Sequence, residues 1–351
     1  MELGDPEQPR GMNPHRHRFR RVLVVLTAVV VVVAIAAALD LALTRSHAVA
    51  AGTGAVVIET NLAYQGSQAA GTGMVLTPSG EILTNNHVIR GATAIRIVEP
   101  GTGRSYRAQV VGYDVADDVA VLQARGASSL KTIPLGESGN VATGQSVQAV
   151  GNAGGTGRLT HALGTVTRVN RSITVSDDQG GSESLSGLIQ TNAAVRPGDS
   201  GGPLLNSANQ VIGMDTAASV SNDVSQTTTN EGYAIPIDKA VSIAKQIVSG
   251  NGSAAIHVGG TAFLGVEASA DSYEGSGAAI TAVVPGSPAD AAGLVPGDLI
   301  TSVGGRAISS PDELSAIVST QQPGAAVSAV YVDQYGMAQT ASLKLGSGPP
   351  R

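Results

Sequence analysis

Hydrophobic residues in most of this chain occur in short runs separated by turn-forming residues. Over residues 56–237 such runs recur about every ten residues, a spacing typical of a β-barrel or a β-sandwich. Residues 73–76, the turn Pro78-Ser79-Gly80 and residues 82–84 together predict a β-hairpin. The pattern therefore predicts a mostly β fold.

The N-terminal part of the chain has a different pattern. Residues 22–39 form an uninterrupted apolar run with four arginines just before it. As a helix, the run would span about 27 Å, close to the hydrocarbon thickness of a bilayer. Since basic flanks stay in the cytoplasm, we expect one N-terminal transmembrane helix with the rest of the chain outside. A cleaved signal peptide is the alternative, because Ala48-Val49-Ala50 offers a small-residue cleavage pattern.

A helical pattern then divides the exported part into two. Residues 238–248 place apolar side chains on one face, and Asp238 is the predicted N-cap. Residues 249–253, rich in Gly, Ser and Asn, predict a flexible linker. The expected organisation is a cytoplasmic tail at 1–21, an anchor at 22–44, a linker at 45–55, a first domain at 56–249, a second linker at 250–260 and a smaller domain at 261–346.

Composition excludes several functional classes. The 351 residues include no cysteine, which removes disulfide frameworks, thiolate metal sites and a cysteine nucleophile. The net charge is −6, although the first 21 residues are basic, so the exported part is acidic. A nucleic-acid surface needs the opposite charge, and we expect no nucleic-acid partner.

The most specific string in the chain is GDSGGP, which begins at Gly198. Glycine beside a serine lets the backbone turn sharply and lets a substrate carbonyl approach. The amides of Gly198 and Ser200 would then converge on a developing oxyanion. Ser200 is therefore the candidate nucleophile.

A serine hydroxyl needs an adjacent base, usually His, which a carboxylate orients. His87 follows a predicted strand, where its side chain can enter a cleft, and is favoured over His161. Asp118 begins the apolar run 118–122 and is the favoured acid. Asp114 and Asp117 are its rivals, although strand alternation points Asp117 to the other face.

Three strings resemble the HtrA branch of the chymotrypsin-like proteases, especially exported actinobacterial members. They are TNNHVI, DVAVL and GDSGGPLLN, in this order over residues 56–346. The resemblance implies two six-stranded β-barrels with a catalytic triad in the cleft between them. It implies that His87 is the general base, that Asp118 orients it, that Ser200 attacks, and that the Gly198 and Ser200 amides form the oxyanion hole. It also implies a homotrimer, with residues 58–64 as the candidate contact.

Two features of the catalytic region bear on the resemblance: the residue at position 199 and the residues of the substrate pocket. Many relatives have Asn where this chain has Asp199, and both a salt bridge to Arg196 and a solvated Arg196 remain open. Ala194 lies where trypsin-like enzymes carry an acid, which argues against Lys or Arg at the cut. Thr216 and Ala217 resemble the wall of the family's substrate pocket, and we expect small aliphatic residues to bind there.

The smaller domain resembles a PDZ domain. Phe263, Leu264, Gly265 and Val266 resemble the PDZ loop whose backbone amides hold a peptide C-terminus. Residues 287–300 resemble the short helix and the following strand of that family. The string Ser-Pro-Asp-Glu at 310–313 is a capping box that predicts a helix over 314–318, which should wall the peptide groove.

These features together predict an extracytoplasmic serine endopeptidase that cleaves misfolded or regulatory proteins and recognises peptide C-termini through its PDZ domain. No metal or organic cofactor is required. We expect the protein at the cell membrane as a single-pass protein, with a secreted form as the alternative. A proteolytically silent PDZ scaffold or holdase is the rival function.

Overall fold

The computed structural model describes residues 52–176, 182–216, 231–270 and 276–351. These residues belong to one compact unit, Gly52–Arg351. The predicted tail at 1–21 and the apolar run at 22–39 lie outside the described residues. Within the described ranges, we find no helix with the length and apolar character that a bilayer crossing requires.

Six antiparallel strands close into a first barrel. They are Ala55–Leu62 (β1), Ser67–Val75 (β2), Glu81–Thr84 (β3), Ala94–Val98 (β4), Ser105–Asp114 (β5) and Val119–Ala124 (β6). Their order around the barrel is β1-β2-β3-β6-β5-β4. The predicted hairpin is confirmed, since Met74 lies opposite Leu83. Ile58, Ile82 and Leu122 are fully buried in the barrel. The one-turn helix Asn86–Ile89 (α1) follows β3.

A second closed barrel contains the rest of the first predicted domain. Its strands are Ser146–Gly151 (β7), Thr160–Ser176 (β8), Ser182–Thr191 (β9), Pro203–Leu205 (β10), Val211–Thr216 (β11) and Gly232–Pro236 (β12). They close in the order β10-β11-β12-β9-β8-β7. Leu204, Ile212 and Ala234 pack in its core.

The helix Ile237–Val248 (α2) follows the second barrel. Of the predicted apolar face, Ala244 and Ile247 are buried, whereas Val241 is half-buried and Val248 is exposed. The prediction that Asp238 is the N-cap of this helix is wrong. Pro236 occupies that position, and Asp238 instead accepts hydrogen bonds from the backbone N and the hydroxyl of Ser138, at 2.9 and 2.8 Å. The Asp238 carboxylate thus binds a loop distant in sequence instead of capping the helix.

The predicted second linker contains a strand. Ile256–Val258 (β13) pairs with β5 and extends the first barrel. The ring of His257 stacks on that of Tyr113, with 4.8 Å between centroids. Three residues are too few for a periodic pattern to reveal a strand, and the pairing depends on a partner far away in the chain.

The smaller domain is a twisted sheet with two helices. Its strands are Thr261–Phe263 (β14), Val266–Ser269 (β15), Ala278–Val283 (β16), Leu299–Val303 (β17), Arg306–Ala307 (β18), Ala326–Val332 (β19), Ala338–Lys344 (β20) and Gly346–Gly348 (β21). Its helices are Pro288–Ala291 (α3) and Pro311–Ser319 (α4). The main sheet has the order β15-β16-β17-β19-β20, and β14 pairs with β21. Leu314, Ile317 and Val318 bury the apolar face of α4 in the core.

The predicted capping box of α4 is half formed. The hydroxyl of Ser310 accepts a hydrogen bond from the backbone N of Glu313 at 3.2 Å. The Glu313 carboxylate accepts from the backbone N of Ser309 at 2.9 Å rather than from that of Ser310. Pro311 opens the helix as predicted, and the helix extends beyond 314–318 at both ends.

The smaller domain contacts the first barrel at several points among the described residues, and three of these points involve Tyr113, Tyr64 and Asn86. The hydroxyls of Tyr113 and Thr261 lie 3.1 Å apart. The ring of Tyr64 stacks on that of Phe263, with 5.6 Å between centroids. At the third point, Asn86 Nδ2 donates to the carbonyl of Arg351, and the N–H of Gly91 donates to the carbonyl of Pro350, both at 2.8 Å. The residues after β21 therefore lie against α1.

Candidate active site

The helix α1 holds His87 against Asp118, which lies just before β6. The Nδ1 atom of His87 is 2.8 Å from Oδ2 of Asp118, and the backbone N of His87 donates to Oδ1 at 2.9 Å. Asp118 is 1% exposed, whereas 31% of the His87 side chain is exposed. One carboxylate thus fixes both the ring and the backbone of His87, whose side chain stays partly exposed.

Asp118 adopts a backbone conformation that residues with a Cβ rarely take. Its φ is 53°, in the left-handed region. Such a conformation persists where the surroundings hold it. Asn85 Nδ2 donates to the Asp118 carbonyl at 3.0 Å, and the Thr216 hydroxyl donates to Oδ2 at 3.4 Å. Asn85 therefore holds the backbone of Asp118 and Thr216 contacts its carboxylate, roles that the sequence did not indicate.

The loop of Ser200 meets the elements that carry His87. The N–H of Thr72 in β2 donates to the carbonyl of Ser200 at 2.9 Å. A Cβ on Gly71 would lie 3.3 Å from that same carbonyl and 2.6 Å from Cγ1 of Val88. Ser200 and the residue after His87 are thus both neighbours of Gly71. The nucleophile candidate and the base candidate lie on the same side of the molecule, where the two barrels meet.

The backbone of Gly198 is closely confined. Its φ is 99°, and a Cβ would lie 2.2 Å from the carbonyl oxygen of Asn152. The N–H of Gly154 donates to the carbonyl of Pro197 at 2.8 Å. Since the C=O and N–H of a trans peptide point in opposite directions, the N–H of Gly198 points away from Gly154. This N–H has no hydrogen-bond acceptor among the described residues, as an oxyanion donor requires.

Hydrogen bonds from two strands fix the loop around Ser200. On one side, the Thr72 hydroxyl donates to the Gly198 carbonyl at 2.8 Å and accepts from the N–H of Asn152 at 2.9 Å. On the other, the N–H of Gly201 donates to the carbonyl of Asp215 at 2.8 Å. Thr72 is a positioning residue that no motif revealed, because its partners come from three distant segments.

Two buried acids lie beneath this loop. Burial raises the pKa of Asp199, although the backbone N–H and the charge of Arg196 partly oppose the rise. Burial, and then the charge of Asp199, raise the pKa of Asp215 well above its usual value. Neither carboxyl oxygen of Asp215 has a hydrogen-bond partner among the described residues. The buried carboxyl group of Asp215 therefore favours its protonated form more than an exposed aspartate does.

The salt bridge considered between Asp199 and Arg196 does not form. The Asp199 carboxylate accepts from the backbone N of Arg196 at 2.9 Å, and the exposed guanidinium of Arg196 makes no ion pair with it. A local turn thus supplies the partner that the sequence could not identify.

The rival residues have other neighbours. Asp114 accepts from the backbone N of Asp117 at 3.0 Å, and the carboxylate of Asp117 pairs with Lys239 at 2.5 Å. His161 is exposed in β8 opposite Val150. Of the three candidate acids, Asp118 is the one hydrogen-bonded to His87.

The predicted pocket residues lie near one strand. A Cβ on Gly232 in β12 would lie 2.6 Å from Cγ2 of Val195, the neighbour of Ala194. Thr216 pairs with Tyr233, the residue after Gly232. The hydroxyl of Thr216 is turned to Asp118. Ala217 lies outside the described residues, and the pocket assignment stays a prediction.

The predicted carboxylate-binding loop of the smaller domain has a defined orientation. The carbonyl of Leu264 accepts from the N–H of Ala289 at 3.0 Å, and that of Gly265 accepts from Val284 at 2.9 Å. The N–H groups of Gly265 and Val266 consequently point away from these partners. Leu264 is buried in the core, whereas the Phe263 ring faces Tyr64. Thus Gly265 and Val266 offer backbone amides, and Phe263 and Leu264 position the loop.

Comparison with known families agrees with this architecture. Residues 71–214 match the trypsin-like peptidase domain, and residues 279–331 match the PDZ domain. The chain is 36% identical over 303 residues to the serine protease PepD of Mycobacterium tuberculosis, covering 83% of this chain and 63% of that protein. The chain belongs to the HtrA-type family of trypsin-like serine proteases with a PDZ domain.

Other HtrA-type proteins show the same relationship. The periplasmic pH-dependent serine endoprotease DegQ of Escherichia coli is 35% identical over 264 residues, which cover 73% of this chain and 55% of DegQ. The chain thus spans 55–63% of the length of these two relatives. A solved structure of the HtrA-type protease AlgW with a tripeptide is 28% identical, with a TM-score of 0.50, and covers 86% of this chain and 96% of AlgW.

Proposed function

We propose that this HtrA-type protein is a serine endopeptidase that acts on polypeptides outside the cytoplasm. One observation carries the proposal: Asp118 accepts hydrogen bonds from both the ring and the backbone of His87, beside the loop of Ser200. A carboxylate in this position selects the tautomer in which Nε2 carries no proton and can accept one. The names of PepD and DegQ as serine proteases support the proposal.

The reaction follows from these positions. His87 takes the proton of the Ser200 hydroxyl as Oγ attacks the scissile carbonyl, and Asp118 stabilises the imidazolium that forms. The amides of Gly198 and Ser200 donate to the oxyanion of the tetrahedral intermediate. His87 then gives its proton to the leaving amine. Water repeats the sequence on the acyl-enzyme and releases the acid.

The test uses unfolded casein and two single-serine variants. Ser200→Ala should lower turnover by about 10⁶-fold, because the attacking oxygen is lost. Ser207→Ala, an exposed serine outside the site, should leave turnover unchanged. Equal turnover by the Ser200→Ala variant and the wild type would disprove the protease assignment. If neither cleaves casein but both suppress its aggregation, the scaffold or holdase function would be supported instead.

The cleavage preference belongs to the same proposal. Ala194 presents a methyl group and no carboxylate, which favours an aliphatic residue over a basic one before the cut, and we expect a small aliphatic residue there. A peptide library that varies this position should give its highest rates with Ala or Val. Cleavage mainly after Lys or Arg would contradict the pocket assignment.

We further propose that the PDZ domain binds peptide C-termini at the edge of the sheet. The N–H groups of Gly265 and Val266 would hold the carboxylate while the peptide pairs with β15. Binding of a fluorescent peptide with a free C-terminus should be lost when that C-terminus is amidated. Equal binding of both peptides would place the ligand elsewhere.

Membrane attachment and assembly are further parts of the proposal. Residues 22–39 would anchor the protein, and mass measurement of the mature N-terminus would detect cleavage near Ala50. A homotrimer stays a prediction, to be tested by sedimentation. The side chain of Ile58 is completely buried in the first barrel, so the candidate contact would have to use the exposed end of that segment, at Asn61 and Tyr64.

A further inference from the structure

A row of charged residues crosses the outside of the first barrel. In the strand registers, Ala70 of β2 lies opposite Glu59 of β1, Glu59 opposite Arg96 of β4, and Arg96 opposite Arg107 of β5. The N–H of Arg125, just after β6, donates to the carbonyl of Arg107 at 2.8 Å. Because directly opposite residues share one face of a sheet, these side chains form a single transverse row.

The charge in this row is unbalanced. Arg96 forms an ion pair with Glu59. The side chains of Arg107 and Arg125 are exposed and have no carboxylate partner among the residues that the structure describes. Like charges on directly opposite residues destabilise a sheet. Three arginines with one acid between them, on a protein of net charge −6, indicate a surface with a role other than stability.

The row lines a groove that reaches the active site. A groove of about 1260 Å³ contacts Arg96, Arg107 and Arg125 at one end, and Pro197 and Gly198 at the other. Between these ends, a Cβ on Gly155 would lie 3.5 Å from that of Ala70, and a Cβ on Gly198 would lie 3.1 Å from the N of Gly155. The groove is therefore continuous from the candidate oxyanion donor to the arginines.

The position of the groove indicates which part of a substrate it holds. The predicted pocket for the residue before the cut contains Ala194 and Thr216, and neither lines this groove. The segment after the cut must leave Ser200 by another route, and the groove at Gly198 provides it. Adjacent strands are about 4.8 Å apart, so along the curved outer surface of the barrel the arginines lie about 10 to 19 Å from Ala70, a path that about three to six extended residues can follow.

We propose that this groove binds the substrate segment that follows the cleaved bond, and that Arg96, Arg107 and Arg125 select acidic residues in that segment. The inference rests on the proposed protease function and specifies a substrate class for it. Exposed charge pairs act mainly on selection and association rate, so the preference should weaken as salt rises.

A binding experiment tests the groove without requiring catalysis. The Ser200→Ala protein is titrated into two fluorescent peptides that differ only at about the fourth to eighth positions after the expected cut, which are Asp and Glu in one and Lys in the other. Both peptides are amidated, so neither offers a carboxylate to the PDZ loop. At low salt we expect about tenfold tighter binding of the acidic peptide, equivalent to about 1.4 kcal/mol.

Matched variants test whether the row of arginines causes the preference for the acidic peptide. Adding Arg107→Glu and Arg125→Glu together should reverse the preference. Adding Lys131→Glu and Lys344→Glu, the same charge change at exposed sites outside the groove, should leave it unchanged. If the first pair fails to fold, Arg107→Gln with Arg125→Gln should abolish the preference. Equal binding of both peptides to the parent protein would overturn the proposal.

Activity separates this proposal from the protease assignment. A short chromogenic substrate, with no residues after the cut, should be hydrolysed equally by the wild type and by the Arg107→Glu, Arg125→Glu variant. Cleavage of both long peptides at one rate, with equal binding, would refute the groove and leave the protease. Selective binding without any cleavage would refute the protease and leave the groove. A changed sedimentation coefficient with unchanged peptide binding would assign the row to contacts between copies, and would overturn the proposal.

Discussion

Two buried carboxyl groups lie on opposite sides of the strand that supports the Ser200 loop, and their surroundings differ. Asp118 is hydrogen-bonded to the ring and the backbone of His87 and to the hydroxyl of Thr216. Asp215 is fully buried with both carboxyl oxygens unpartnered among the described residues. Burial alone therefore does not decide what an acid does. The donors around the acid also matter: Asp118 has three hydrogen-bond donors at its carboxylate, whereas the carboxyl group of Asp215 has none among the described residues.

The geometry of β11 explains the difference. Successive side chains on a strand point to opposite faces, so Thr216 faces Asp118 while Asp215 faces the other side, toward Asp199. The backbone of Asp215 meanwhile binds both Gly201 and Gly202. One short strand thus supplies a hydroxyl to the candidate triad, holds the loop of Ser200, and buries an acid beneath it.

Replacing the Asp118 carboxylate by an amide would remove the difference between the two acids, and it should have the largest effect on activity. Asp118→Asn is expected to lower kcat by about 10⁴-fold, because an amide can hold His87 in the wrong tautomer and cannot stabilise the imidazolium. Steady-state kinetics on a cleaved peptide measures this loss. Asp117→Asn changes the same charge nearby and should leave kcat intact. A normal rate in Asp118→Asn would show that another group orients His87.

The loop between the two acids is the next target. Gly198→Ala should lower kcat by about 10²- to 10³-fold, because the new Cβ would clash with the Asn152 carbonyl and displace an oxyanion donor. Gly187→Ala is the control, since Gly187 also has a positive φ but a Cβ added there would meet no atom within 4 Å. Full activity of Gly198→Ala would exclude this amide from the reaction.

The raised pKa of Asp215 predicts that the stability of the fold depends on pH. Its raised pKa means that the folded chain keeps a proton that the unfolded chain has lost, so the free energy of unfolding falls as pH rises above about 3.8 until the folded pKa is passed. Asp215→Asn cannot titrate and should escape this fall. We expect its advantage over the wild type to grow with pH, to about 1 to 3 kcal/mol.

Urea unfolding between pH 2 and pH 9 measures this difference. Asp238→Asn is the control of opposite sign, because hydrogen bonds from Ser138 lower the pKa of that exposed carboxylate. Its charge stabilises the folded chain above its unfolded pKa, so the substitution should lower stability at neutral pH and not at acid pH. A constant difference between Asp215→Asn and the wild type would show that folding does not raise the pKa of Asp215.

The smallest effect is expected at the hydroxyl that distinguishes the two faces of β11. Thr216→Val keeps the shape of the side chain and removes its 3.4 Å contact with Asp118. A hydrogen bond contributes about 0.5 to 1.5 kcal/mol, so kcat should fall about two- to tenfold. Thr216→Ser should restore most of the rate. No recovery in the Ser variant would attribute the loss to packing.

Much of this arrangement could be predicted from local sequence. The short apolar runs indicated a barrel or a sandwich, and the family resemblance of the strings around His87, Asp118 and Ser200 implied the double barrel. The features that could not be predicted depend on residues distant in the chain. Thr72 is an ordinary strand residue until folding places it between Gly198 and Asn152. Ser138 likewise removes Asp238 from the helix cap, and the pairing of β13 requires β5.

The contact between α1 and the residues after β21 couples two regions mechanically. Asn86 and Gly91, on either side of His87 in the chain, are bound to the carbonyls of Arg351 and Pro350. Any swing of the smaller domain away from the first barrel must therefore stretch or release these bonds at both flanks of the imidazole. Domain displacement would be transmitted directly to the proton-accepting group, without a relay through the barrel interior.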